Sequence, residues 1–121
     1  MNSLNYLLVG ANWAGDDKKE DFFRRGSWEM GYGDDEKPVF TKRRNQIKIG
    51  DRIALKSMDG YGATTITIKA IGVVKDISDK IIYIDWKLAD LNRTVQSHGA
   101  LGTIHGPYPF SDNRIQEIFC L

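Results

Sequence analysis

One cysteine and two histidines in 121 residues leave little material for redox or metal chemistry. Cys120 has no partner for an internal disulfide, and beside Phe119 and Leu121 it reads as a small packing residue rather than a nucleophile. His98 and His105 lie in a glycine-rich stretch with no second pair of Cys, His or carboxylates at ligand spacing, so neither a metal nor a cofactor is expected. No Ser, His and Asp arrangement stands out. Long hydrophobic runs are missing as well: Leu7 to Val9 and Ile81 to Tyr83 fall far short of the roughly 20 residues that cross a bilayer. The N-terminus also lacks the charged start and apolar run of a leader, so no membrane association is expected and a reducing, cytoplasmic compartment fits. An excess of charge of one sign is absent too, because 17 Lys and Arg stand against 16 Asp and Glu, a net charge of +1. Bulk attraction to a polyanion therefore does not arise, and any such attraction must come from local clustering. What is present is apolar material for a core, 41% by residue, in a length that suits one domain over residues 1–121.

Local patterns place the elements. Leu4 to Gly10 is a short apolar run ended by glycine and reads as a buried strand. Asp16 and Asp17 precede KKEDFFRR and Gly26, the order of an acidic cap, a short helix with basic last turn, and a glycine stop. Gly26 to Pro38 has neither period and reads as a loop. Val39 to Gln46 can make one or two helical turns, and Ile47 to Asp51 leads tightly into a strand over Arg52 to Ser57. After the turn MDGYGA, Thr64 to Lys75 alternates as a half-buried strand with Gly72 as a bulge or kink, and Ile77 to Lys80 turns the chain into a strand over Lys80 to Trp86. Gly99 to Ile104 is expected to be a last strand, and Asp112 to Leu121 a terminal helix capped by its Asp. The sum is an α+β chain, a small, strongly bent, mostly antiparallel sheet or barrel with short helices over its ends.

Several motifs bear on chemistry. Gly50 to Ser57 resembles a phosphate-binding loop only until Leu55, which stands where that pattern needs glycine, so nucleotide hydrolysis is rejected. Asp85-Trp86-Lys87 matches the acid-x-Lys tripeptide of metal-dependent nucleases, with Asp76 or Asp79 as an earlier carboxylate; a solvated strand end is the plainer reading. Between Lys42 and Lys56 six bases, among them Arg43, Arg44 and Lys48, face a single Asp51 and form a basic stripe. Trp13, Trp28 and Tyr32 fall in turns and loops, where a flat ring either stacks on a base or closes one end of the sheet. Trp86, ending an apolar strand, reads as core.

In order and spacing, YLLVGANWAG, FFRRGSWEMGY, IKIGDRIALKS, TITIKAIGVVKD and IYIDW resemble the EVE/PUA-like domains that precede the motor in McrB-type restriction NTPases acting on modified cytosine. The resemblance covers Tyr6 to Trp86 and implies a pseudo-barrel that takes a modified base, lifted from its stack, into an aromatic pocket. Carried over, Ser27 and Trp28 match the pocket segment, Trp13 the turn that walls it, and Lys56 with Ser57 the strand end at its mouth. A short MDGYGA turn replaces the longer insertion usual in the family. The implied function is a non-enzymatic, DNA-binding module for modified base recognition by base flipping in restriction-modification, with nucleic acid and a fused or separate restriction NTPase as partners. The site residues so nominated are Trp13, Ser27, Trp28, Tyr32, Arg43, Arg44, Lys48, Lys56 and Ser57. The alternatives are a metal-dependent nuclease using Asp85 and Lys87, and a protein-docking domain using the Trp28 loop.

Overall fold

In the computed structural model, residues 4–13, 15–33, 35–60, 62–100 and 102–120 are described. The chain runs through β1 (Tyr6–Gly10), β2 (Asn12–Trp13), β3 (Asp16–Asp17), α1 (Lys19–Arg25), β4 (Ser27–Trp28), α2 (Pro38–Asn45), β5 (Arg52–Met58), β6 (Thr65–Ser78), β7 (Ile81–Leu88), β8 (Arg93–Gln96), β9 (Ile104–Tyr108) and α3 (Asn113–Phe119). Seven strands form one sheet in the order β4-β7-β6-β5-β1-β9, with β8 also on β6, while β2 and β3 make a separate hairpin. The architecture is a small α+β sheet with a few short helices. With β4 and β9 at its two ends the sheet is open, which corrects the expected barrel closure.

The strand β1 is buried on both faces because it lies between β5 and β9 with side chains packed above and below. Leu7 and Val9 face one apolar cluster with Ile53, Leu55, Trp28 and Ile84, and Leu8 faces a second with Ala54, Ile66 and Ile118. Its pairing with β5 is parallel, whereas every other ladder is antiparallel. A parallel neighbour cannot be reached by a tight turn. The connection here carries the β2–β3 hairpin, α1, β4 and α2, all of which are delivered to one region of the molecule.

Asp51 anchors the start of β5. It is fully buried and accepts hydrogen bonds from Lys48 N (3.0 Å), Lys48 Nζ (2.6 Å) and Asn5 N (3.4 Å). A buried carboxylate is tolerated when its acceptor capacity is met in this way. Its neighbours complete the joint: Arg52 N donates to Asn5 O and Val74 N to Asp51 O.

The long strand β6 bends through extra residues. Leu55 pairs with Ala70 and Lys56 with Ile68, so Lys69 is left unpaired in the β5 ladder. One extra residue shifts the alternation by one. Ile66 and Ile68 therefore serve the cluster around Leu8, while Ala70 and Val74 serve the cluster around Leu7 and Val9. The edge of β6 opposite β5 passes from β7, paired over Ile71–Ser78, to β8, paired over Thr65–Ile68. Gly72 fits where the ladder with β7 also shifts; a Cβ there would come within 2.5 Å of Ile84 Cγ2 and 2.9 Å of Asp85 O. The shift there agrees with the bulge or kink read from the sequence, and the close approach is a further reason for glycine.

Four local expectations change. Asp16 and Asp17 form β3, and although the cap residue Lys18 makes no side-chain cap bond, the Asp17 carboxylate accepts from Lys19 N, the first residue of α1, at 2.9 Å, while Gly26 ends the helix in the left-handed conformation (φ 64°). The segment read as a loop after Gly26 contains β4, where Ser27 pairs with Tyr83 and Trp28 with Ile82. Strand β6 continues to Ser78, through part of the expected turn. The last strand lies at Ile104–Tyr108 instead of Gly99 to Ile104, and β8 precedes it. In α3 the expected cap is present: Asp112 Oδ1 accepts from Arg114 N at 2.9 Å. Cys120 is exposed, not packed.

Trp28 has no exposed surface, and its indole Nε1 donates to Gly10 O at 2.8 Å. Trp28→Ala is expected to cost about 3 to 5 kcal/mol, the range for removing a large buried aromatic. Chemical denaturation followed by circular dichroism measures it, and a loss under about 1 kcal/mol contradicts the core assignment.

Candidate functional site

A cleft of about 450 Å3 opens at the C-terminal ends of the parallel pair β1 and β5. Both strands contribute backbone and side chain there: Gly10, Ala11 and Asn12 from the end of β1, and Leu55 to Met58 from β5. Gly102 and Thr103 close it beside β1, where Gly10 N donates to Thr103 O at 2.8 Å. Trp28 holds the floor from below through its bond to Gly10 O, so the ring that the resemblance placed in the pocket wall is a foundation instead. Ser27 is buried beside it in the sheet.

The aromatic wall comes from other residues. Tyr32 and Phe40 both line the cleft, with ring centroids 5.9 Å apart and planes tilted by 36°. Phe40 is carried by α2, a short helix that starts with Pro38 at its first turn. Trp13 is half-buried and does not line the cleft. Its ring meets Phe22 edge-on at 6.0 Å, Lys18 Nζ lies 5.5 Å from its centroid, and Gly31 is pressed so close that a Cβ there would be 2.6 Å from Trp13 Cδ1.

Basic groups are divided between rim and floor. Lys19, Lys37 and Lys69 line the cleft together with one carboxylate, Asp17. Asp17 accepts from Lys19 N at 2.9 Å and Lys19 Nζ at 3.2 Å, Lys37 Nζ lies 5.6 Å from the Tyr32 ring centroid, and Lys69 Nζ donates to Asn92 Oδ1 at 2.7 Å. The bulge described above is what turns Lys69 out of the β5 ladder. At the floor, Lys56 is only 5% exposed, and its Nζ has no hydrogen-bond or ion-pair partner among the described residues. A Cβ added to Gly10 would lie 3.8 Å from that nitrogen. Burial disfavours the ammonium and pushes the Lys56 pKa down to about 8.

His105, on β9, has a pKa pushed down to about 4, first by burial and then by the positive charges of Lys56, Arg43 and Arg114. Its Nε2 accepts from Gly102 N at 2.7 Å, a bond that needs the neutral ring.

Of the basic stripe, Arg43, Arg44 and Lys48 do not line the cleft. Arg43 Nη1 donates to Ile104 O at 2.8 Å and ties α2 to β9. Arg44 is 7% exposed, and Lys48, itself exposed, is bound to the buried Asp51. Two of the three thus satisfy a backbone carbonyl or a buried carboxylate elsewhere in the fold. Of the nominated residues, Tyr32, Lys56 and Ser57 are brought together, and Trp13, Ser27, Trp28, Arg43, Arg44 and Lys48 are not. Sequence reading missed Phe40, Lys19, Lys37 and Lys69. Phe40 sat next to the stripe within a recognised helical stretch, but Lys69 gave no signal, because its strand alternates smoothly in sequence.

Asp85 and Lys87 are exposed near the end of β7, paired at 2.6 Å, and the Lys87 hydrogen bond holds the Asp85 carboxyl below its usual range. Among the described residues no group of three or more His, Cys, Asp or Glu could hold a metal ion, and no helix is long and apolar enough to cross a membrane. Trp86 is half-buried, donating Nε1 to Phe22 O at 3.1 Å. Comparison with protein-family models, curated proteins and solved structures returns no match for the chain.

Two outcomes follow from the buried titrating groups. The folded Lys56 pKa lies below the model-peptide 10.5, so the fold opposes the charged form at neutral pH and gains stability as pH rises from about 8 toward 10.5. Lys56→Met is therefore expected to raise unfolding free energy at pH 7 by up to about 3 kcal/mol, and to flatten that rise, in denaturation series at several pH values. For His105 the folded value lies below the unfolded 6.5, so its contribution is complete above 6.5 and is lost as pH falls through about 4. Thermal melts from pH 7 to pH 4 should show a smaller acid loss in His105→Gln, which keeps an acceptor without a titrating ring.

Proposed function

We propose that the chain is a PUA/EVE-like, non-enzymatic module that binds nucleic acid by taking a modified base, flipped from its stack, into the cleft between β1 and β5. The observation that carries this reading is the meeting of Tyr32 and Phe40 with the buried Lys56 and with Ser57 in one 450 Å3 cleft rimmed by lysines. That volume falls within the usual range for small-molecule sites. Extruding a base costs a few kcal/mol, and stacking on an aromatic face returns about 1 to 3 kcal/mol, with edge hydrogen bonds supplying the remainder.

Polar atoms suited to a base edge are available from Asn12, Ser57 and Thr103 along the lining. The rim lysines, Lys19, Lys37 and Lys69, stand where a sugar-phosphate backbone would pass, which restores an electrostatic component that the +1 net charge does not provide. DNA is the expected strand, in the restriction or defence setting that the family resemblance implies, where a fused or separate NTPase would act on the recognised site. The exposed Asp85–Lys87 pair has no part in this reading.

Tyr32→Ala should weaken binding of an oligonucleotide carrying a methylated base by about 1 to 3 kcal/mol without a change in circular dichroism, whereas Lys75→Gln, on the exposed side of β6, should bind as the parent does. Affinity should also fall with salt, with a log-log slope of about 0.9 for each phosphate neutralised on duplex DNA. Fluorescence anisotropy measures both. Unchanged binding in Tyr32→Ala would remove the aromatic wall from the interface.

A further inference from the structure

We propose that the base taken into this cleft presents an anionic substituent to Lys56: a pyrimidine bearing a carboxylate, in preference to one bearing a methyl or hydroxymethyl group. The inference rests on the base-reading function above and names its substrate class. Three observations carry it. Lys56 is a 5% exposed cation that lines the cleft and has no acceptor among the described residues, which leaves three donor positions at the floor unmet by those residues. An unpaired buried charge is costly, and an incoming anion is the partner that removes the cost.

The groups around Lys56 reinforce the sign. Arg43 on α2 lies close enough to act electrostatically on His105, as Lys56 itself does, and Lys19, Lys37 and Lys69 share the cleft. The one carboxylate among the lining residues, Asp17, is committed to Lys19 through two hydrogen bonds. A methyl group against the Lys56 amine would desolvate it further and satisfy none of its donors. A carboxylate would accept one or two charge-assisted bonds from it.

The pH dependence has a defined direction. The ligand carboxylate is ionised throughout the neutral and alkaline range and His105 is neutral there, so loss of the preference above about pH 8 reports on Lys56.

The test uses one oligonucleotide sequence with a single cytosine that is unmodified, 5-methylated, 5-hydroxymethylated or 5-carboxylated, titrated into the whole chain at pH 7 and pH 9. The carboxylated strand is expected to bind roughly 10- to 100-fold tighter than the others at pH 7, with a smaller advantage at pH 9. Lys56→Met and Lys56→Gln should abolish the preference, so that the carboxylated and methylated strands bind alike, and Lys75→Gln should leave it intact. Equal or tighter binding of the methylated strand, or a preference that survives both Lys56 variants, overturns the inference and leaves the base-reading function standing. If none of the four strands binds, the base-reading function fails and the inference fails with it.

Discussion

The parallel contact between β1 and β5 is the constraint on which the rest of the molecule depends. A parallel pair requires a long return path, and apart from the pair itself that path holds the cleft-lining residues except Lys69 of β6 and Gly102 and Thr103 before β9. One end of the pair is locked by the buried Asp51, whose carboxylate gathers donors from Asn5 and Lys48. The other end is left open, at Gly10 and Lys56, with backbone and side chain facing the same space. Ligand sites often form at the carboxyl ends of parallel strands, because the chain diverges there and leaves a crevice.

Extra residues interrupt the β5–β6 and β6–β7 ladders, and each of these three is a lysine. Lys69 is unpaired in the β5 ladder, and Lys75 and Lys87 fall at the two shifts between β6 and β7. A bulged position leaves the regular ladder, so a long charged side chain there can reach solvent while the flanking apolar residues remain packed. This device lets one continuous strand supply two clusters and also delivers a cation to the cleft rim.

Electrostatics explains why a protein with almost no net charge can hold a strongly positive site. Most of its ion pairs are short-range and near the surface, such as Lys18 with Asp16, Arg24 with Asp21 and Arg114 with Asp112, and they contribute little to stability. Lys56 differs in kind, since it is buried without a counter-charge among the described residues, at a thermodynamic cost. Groups placed against the stability of the fold in this manner are concentrated at binding and catalytic sites.

The sequence by itself determined the elements whose signals are local. The run LLVG, the alternation from Thr64, the IIYI strand, the Gly26 stop and the Asp112 cap each express a backbone preference that needs only neighbours in the chain, and each appears where expected. Tertiary structure alone decided the two-residue strand β4, the displacement of the last strand to Ile104, and the open edges of the sheet, because a strand that short has no period and strand order depends on partners distant in sequence. It likewise decided which polar and aromatic side chains became available. Lys56 and Ser57 could be placed at a strand end from sequence, but Trp28 and Arg44 carry no local mark distinguishing a buried ring or guanidinium from an exposed one. Their fate was set by whether a carbonyl or an apolar cluster from another strand came within reach: Gly10 O captured the Trp28 indole, and the space left above it became the cleft.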